Sequence, residues 1–171
     1  MSFAIFSDSS CNLPKAQLEE FQVQIISSSY EREGKLITCP PYPEDFDGHE
    51  YYNFLRNKGV VKTSLIPAAQ MEDAFRPVLA AGEDVLYITL SSGISGTVAS
   101  GLQAAQALME EFPQRQVRVL DSMGAGFGIG LLLGRASDDR KAGLNLDQTY
   151  ASLERDRDNL CEFFTVDDLM F

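Results

Sequence analysis

The run Val85-Leu86-Tyr87-Ile88-Thr89-Leu90 constrains the fold more than any other segment. It is almost continuously apolar and rich in β-branched and aromatic side chains, with no alternation between a core face and a water face. Such a run reads as a strand covered on both sides, and strands of that kind belong to parallel sheets flanked by helices. The rest of the chain agrees. Residues 3–6, 23–28, 35–39, 60–64, 117–121 and 161–166 read as further strands, with Gly34 in the turn before the third of them. Helical patterns or helix-start signals cover 14–21, 44–57, 68–79, 97–111, 125–140 and 146–159. This alternation predicts an α/β fold, a mostly parallel sheet with helices on both faces.

Composition narrows the partners. The chain has 171 residues, enough for a core without disulfides or metals. It carries 14 Lys+Arg against 25 Asp+Glu, a net charge of −11 spread evenly over both halves. A uniformly acidic surface argues against nucleic acid, which needs clustered Lys and Arg, and against an anionic membrane. No apolar stretch reaches the roughly 18 residues of a membrane span. Met1-Ser2-Phe3-Ala4 runs straight into a strand, without the regions of a signal peptide. Cys11, Cys39 and Cys161 form an odd, widely spaced set with no CxxC, which suits free thiols in a reducing, cytoplasmic setting. With His49 as the only histidine, a Cys/His zinc site and a Ser-His-Asp triad are both weak readings, and no metal is expected.

The chemistry gathers at strand ends, where open α/β sheets bind ligands. Three such ends carry Ser7-Asp8-Ser9-Ser10, Ser91-Ser92-Gly93-Ile94-Ser95-Gly96-Thr97 and Asp121-Ser122. The middle loop follows a strand and opens a helix, so its glycines and free N–H groups suit an anion. Helix capping by Ser95 is the plainer alternative. The loop lacks the Gly-Lys-Ser/Thr ending of a nucleotide loop and is not a GxSxG elbow. In Gly124-Ala125-Gly126-Phe127-Gly128-Ile129-Gly130 the spacing misses the dinucleotide fingerprint, and close packing of a helix on the sheet is the better reading. Asp8 either orients hydroxyls in its loop or caps the helix after Pro14. His49 reads as solvent-facing. Adjacent Asp167 and Asp168 point to opposite faces of a strand. Arg155 to Asp158 is a charge run expected to face solvent.

Five segments together resemble the DegV family of bacterial fatty-acid-binding proteins. Ser7-Asp8-Ser9-Ser10-Cys11-Asn12-Leu13-Pro14 is similar to the family's opening signature, and Lys62-Thr63-Ser64 to its T-S-Q-P segment. Leu90–Thr97 resembles its S-S-x-x-S-G-T loop, Val119-Leu120-Asp121-Ser122 its third strand end, and Phe164–Leu169 its V-D-D-L element. The resemblance implies a non-enzymatic protein that holds a long-chain fatty acid as its ligand, without a cofactor. The carboxylate would be held by hydroxyls of Thr63 and Ser95, with Ser64, Ser92, Gly93, Gly96, Asp8, Ser9 and Ser122 as further pocket candidates. In some relatives the bound acid is presented to a fatty acid kinase subunit.

The chain departs from the pattern at Leu65 and Ile66, where the family has Gln and Pro. Residues 1–160 are expected to form a DegV-like N-terminal α/β domain, and 161–171 the start of a truncated second domain. An open face would then favour self-association. Two other classes stand beside this reading. One is a phosphotransferase of the related dihydroxyacetone-kinase type, which would need His49 as its substrate anchor. The other is a truncated relative with only an interaction role.

Overall fold

A computed structural model of the chain describes residues 3–163 and Thr165. Among these, seven strands and six α-helices follow in the order β1 (Phe3–Asp8), α1 (Lys15–Phe21), β2 (Val23–Ile26), β3 (Ser29–Arg32), β4 (Lys35–Thr38), α2 (Gly48–Arg56), β5 (Val61–Ser64), α3 (Ala68–Ala80), β6 (Asp84–Thr89), α4 (Thr97–Glu111), β7 (Val117–Asp121), α5 (Phe127–Lys141) and α6 (Leu146–Arg157). Short 3-10 turns occupy Ser9–Cys11 and Pro43–Asp45.

The central sheet has the order β2-β1-β6-β7, and every pairing in it is parallel. Val85, Leu86, Tyr87 and Ile88 of β6 are fully buried, as a strand between two helical layers must be. Side chains alternate strictly along each strand. Phe3, Ile5, Leu86, Ile88 and Leu120 face Leu18 of α1, Ile129, Leu132 and Leu133 of α5, and Leu146 and Leu153 of α6. Ala4, Phe6, Val85, Tyr87, Val117 and Val119 face Met71, Phe75 and Leu79 of α3 and Ala104, Ala105 and Leu108 of α4. On that second face the rings of Phe6 and Phe75 meet edge-on at 4.9 Å, and Phe75 lies 5.5 Å from Tyr87.

The expected single sheet accounts for only part of the strand content. The predicted strand over 23–28 ends early, and Ser29–Arg32 is a separate strand at the centre of an antiparallel sheet of order β4-β3-β5. Its hairpin turns on Glu33 and Gly34, both at positive φ (52° and 75°). Two such residues make the turn whose twist matches the flanking strands. The Arg32 guanidinium then forms a two-point pair with the Glu50 carboxylate on α2 (2.8 and 2.6 Å) and stacks over the Phe54 ring at 3.8 Å. These contacts fix α2 against the small sheet.

The predicted last strand does not begin at Cys161. Cys161, Glu162 and Phe163 are irregular and exposed. The Glu162 carboxylate instead accepts the Ala125 N–H at 3.0 Å, beside the start of α5. A Cβ on Gly128 would stand inside that carboxylate, so the glycine is needed for space. Phe164 and 166–171, which include most of the V-D-D-L element, lie outside the described residues. His49 is the second residue of α2, exposed as expected, with its Nδ1 3.1 Å from the Asn53 amide.

Candidate functional site

The strand order places a crevice. From β1 the chain turns outward to β2, and from β6 it turns the other way to β7. The carboxyl ends of β1 and β6 therefore diverge into the switch point where open α/β sheets take ligands. Asp8 closes the floor of this crevice. Its Oδ1 accepts the Ser10 N–H at 2.9 Å and the Ser10 hydroxyl. Its Oδ2 accepts the hydroxyls of Thr89 (2.5 Å) and Tyr87 (3.2 Å) and the Leu90 N–H (3.4 Å). Burial and the Asp8 charge push the Tyr87 phenol far above its ordinary pKa, so it donates at every working pH. Asp8 thus orients hydroxyls and caps the first 3-10 turn rather than the helix after Pro14.

The loop from Ser91 to Gly96 divides in two. Its outer half is tied to the end of β7, with the Ser92 N–H donating to Asp121 Oδ1 at 3.1 Å and the Gly93 N–H to Ser91 Oγ at 3.2 Å. Burial would raise the Asp121 carboxyl. Hydrogen bonds from Ser92 and the Met123 N–H, with the Arg157 charge, outweigh it and hold the group below its ordinary value. Arg157 also donates to the Asp121 carbonyl at 2.9 Å, so that end of the charge run is engaged rather than simply solvated. The inner half faces the crevice. Ser95 Oγ accepts the Thr97 N–H at 3.2 Å and lies 2.8 Å from the Thr97 hydroxyl. Thr97 in turn accepts the Ile66 N–H at 3.5 Å, which links the segment bearing Leu65 and Ile66 to the loop. If Thr97 donates to Ser95, the Ser95 proton is left to donate outward.

Opposite the loop stands the small sheet. Thr63 and Ser64 end β5, paired with Tyr30 and Ser29 of β3. Between the two elements lies a cavity of about 570 Å³. Of the sequence-predicted residues, Asp8, Thr63, Ser64, Ser95 and Gly96 line it, whereas Ser9, Ser92, Gly93 and Ser122 do not. Ser122 is buried, with its hydroxyl donating to the Gly124 carbonyl at 3.1 Å. Ser9 pairs with the Ser28 hydroxyl at 2.7 Å.

The apolar wall is the part that sequence reasoning missed. Tyr30, Phe46, Tyr51 and Tyr52 line the cavity, with Leu65, Ile94 and Cys39. Phe46 and Tyr51 could be found as members of the aromatic set in 46–54, but that set reads in sequence only as a helix face. No Lys, Arg or His lines the cavity among the described residues. No cluster of three His, Cys, Asp or Glu is placed to hold a metal ion, and no helix is long and apolar enough to cross a membrane, again among the described residues.

Comparison with known proteins decides the family. The model described as "Uncharacterised protein, DegV family" matches residues 2–171. This chain belongs to the DegV family. A DegV domain-containing protein of Clostridium perfringens is 30% identical over 98% of this chain and 57% of its own length. One from Lactococcus lactis is 28% identical over 99% and 58%. The chain spans a little over half the length of these DegV relatives. Among solved structures, a fatty-acid-binding DegV family protein from Thermus thermophilus superposes with a TM-score of 0.80 at 28% identity, covering 92% of this chain and 54% of that one. A stearic acid-binding protein from Eubacterium ventriosum gives 0.79 at 26%, covering 89% and 52%.

Proposed function

We propose that this DegV chain forms one wall of a long-chain fatty-acid site. The carboxylate accepts hydrogen bonds from the hydroxyls of Thr63 and Ser95, with Ser64 beside them, and the acyl tail runs along the aromatic wall. The observation that carries this reading is the cavity at the switch point. Hydroxyls come from two opposed elements, and aromatic and aliphatic side chains form one wall. The Asp8 carboxylate at the floor is already taken up by its own donors, and no cation lines the cavity among the described residues. Neutral donors at a helix start suit a carboxylate when no guanidinium or ammonium is near. The fatty-acid-binding relatives from Thermus thermophilus and Eubacterium ventriosum support it.

The tail supplies most of the affinity. At ~0.8 kcal/mol per methylene, a 16-carbon acid gains on the order of 12 kcal/mol on full burial, before association costs. One wall captures roughly half of that. On this reading 1–160 is the N-terminal domain, 161–171 opens a second domain that completes the tunnel, and the assembled protein presents its acid to a fatty acid kinase. His49 is not among the residues that line the cavity.

Native mass spectrometry of freshly purified protein is expected to reveal a co-purified long-chain acid. The Thr63→Val, Ser95→Ala double variant is expected to bind it at least tenfold more weakly, about 1.4 kcal/mol. Equal binding by the double variant would refute the assignment of the carboxylate ligands.

A further inference from the structure

A second cavity, of about 210 Å³, lies behind the first, between the 3-10 turn at Ser9–Cys11 and the proline-rich stretch 40–43. The two share Ser10, Ser28, Cys39 and Phe46 as lining. The serines of this boundary are already partnered. Ser28 Oγ lies 2.7 Å from Ser9 Oγ, which also accepts the Ser28 N–H at 3.1 Å, and the Ser10 hydroxyl donates to Asp8. A hydrocarbon passing here strips none of these groups of a hydrogen bond, the condition under which polar side chains tolerate an apolar neighbour.

Cys39 and Phe46 supply the apolar part of the boundary. Phe46 is braced against the Tyr51 ring at 5.2 Å, and the Cys39 N–H donates to the Ser28 carbonyl at 2.8 Å. The outer rim is tied down as well. Glu44 accepts the Lys15 N–H at 3.0 Å, and the Lys15 ammonium sits 5.3 Å from the centre of the Tyr42 ring. The boundary that the two spaces share is therefore held in place from both sides.

We propose that Cys39 and Phe46 form a neck through which the distal end of the acyl tail enters the second cavity, so that these two residues set the longest chain the protein accepts. This rests on the fatty-acid reading of the larger cavity. At the ~30 Å³ that one water takes in the liquid, 210 Å³ holds roughly seven groups of that size, and a methylene is of similar bulk. Each methylene that enters adds about fourfold to affinity.

The test uses saturated acids of about 12 to about 22 carbons, each displacing a fluorescent fatty acid from the full chain. Affinity is expected to rise with length until both cavities are filled. In Cys39→Trp the rise stops several carbons earlier than in the parent; in Phe46→Ala it continues further. Alkylation of the unsubstituted protein gives a readout that does not depend on either variant folding. Long acids slow iodoacetamide at Cys39 more than short ones do, and exposed Cys161 is unaffected by either. Length profiles that coincide in all three proteins overturn the neck, as does Cys39 labelling indifferent to the length of a bound acid. Failure of every acid to bind overturns the fatty-acid reading and the neck with it.

Discussion

Asp8→Asn tests whether the floor of the site is held by charge or merely filled. The carboxylate receives five donors, three on Oδ2 and two on Oδ1. Asparagine keeps one acceptor and puts an NH₂ where the other was. The hydroxyls of Ser10, Thr89 and Tyr87 can rotate to accept from it. The N–H groups of Ser10 and Leu90 cannot, so either orientation of the amide leaves one backbone donor facing another donor. The Leu90 contact is the longer, at 3.4 Å against 2.9 Å, so the amide settles with its NH₂ on that side.

A buried donor without an acceptor costs about 1–3 kcal/mol, and each bond from Tyr87 and Thr89 loses about 1 kcal/mol with the charge. The sum is about 3–5 kcal/mol. With a urea slope of about 2 kcal/mol per M, the unfolding midpoint falls by about 1.5–2.5 M. Tyr87→Phe removes one donor and leaves four, and is expected to cost about 1–2 kcal/mol in the same assay. A midpoint within about 0.3 M of the parent for Asp8→Asn would refute the reasoning, because it would mean that ionisation contributes nothing beyond shape.

Phe75→Ala removes the ring between Phe6 and Tyr87 and is expected to cost about 3–5 kcal/mol, read as a fall of roughly 10 °C in Tm by calorimetry. The fold holds the Asp121 carboxyl below its ordinary 3.8, so on acidification the unfolded chain binds that proton first. The stability it contributes is present above that pH and lost below it. Asp121→Asn should flatten the fall of the urea midpoint below about pH 4, and an unchanged acid limb would count against the cause assigned. Gly128→Ala displaces the Glu162 carboxylate, so limited proteolysis is expected to cut near 161–163 faster than in the parent while the urea midpoint of the core stays put.

Much of the frame is legible in the residues because it follows from burial alone. Val85–Leu90 admits one interpretation, and the helix at Thr97–Glu111 starts where the serine and glycine loop says it must. Ser95 reads in sequence as a cap or a ligand; in the fold the N-cap of α4 is Gly96, and Ser95 accepts the Thr97 N–H one residue inside while it lines the cavity. The small sheet was harder. Ser27-Ser28-Ser29 carries no hydrophobic period to separate β2 from β3, and the signal that remained was the Glu33-Gly34 turn. The aromatic wall was illegible for a different reason. Tyr30 and Tyr51 meet across a sheet and a helix at 5.3 Å, and nothing local encodes that meeting. Ser92 and Ser122 looked equivalent to Ser95 because spacing reports proximity to a strand end, not which side of the loop a hydroxyl takes.

The parallel pairing of β1 with β6 also dictates an order of events during synthesis. Ser7 donates to the Ile88 carbonyl at 2.8 Å, and Phe3 to Ser7 align with Asp84 to Ile88. β1 leaves the ribosome first, yet β6 begins at residue 84, 76 positions after β1 ends at residue 8. At 5–20 residues per second that is roughly 4–15 s. Over that interval β2 can cover one edge of β1, and α1 and then α3 can begin to cover its two faces, while the other edge stays unpaired and the cover that α4, α5 and α6 give the sheet is still missing. The nascent chain is therefore expected to be most prone to aggregation, and most in need of a chaperone, before Val85–Ile88 emerges.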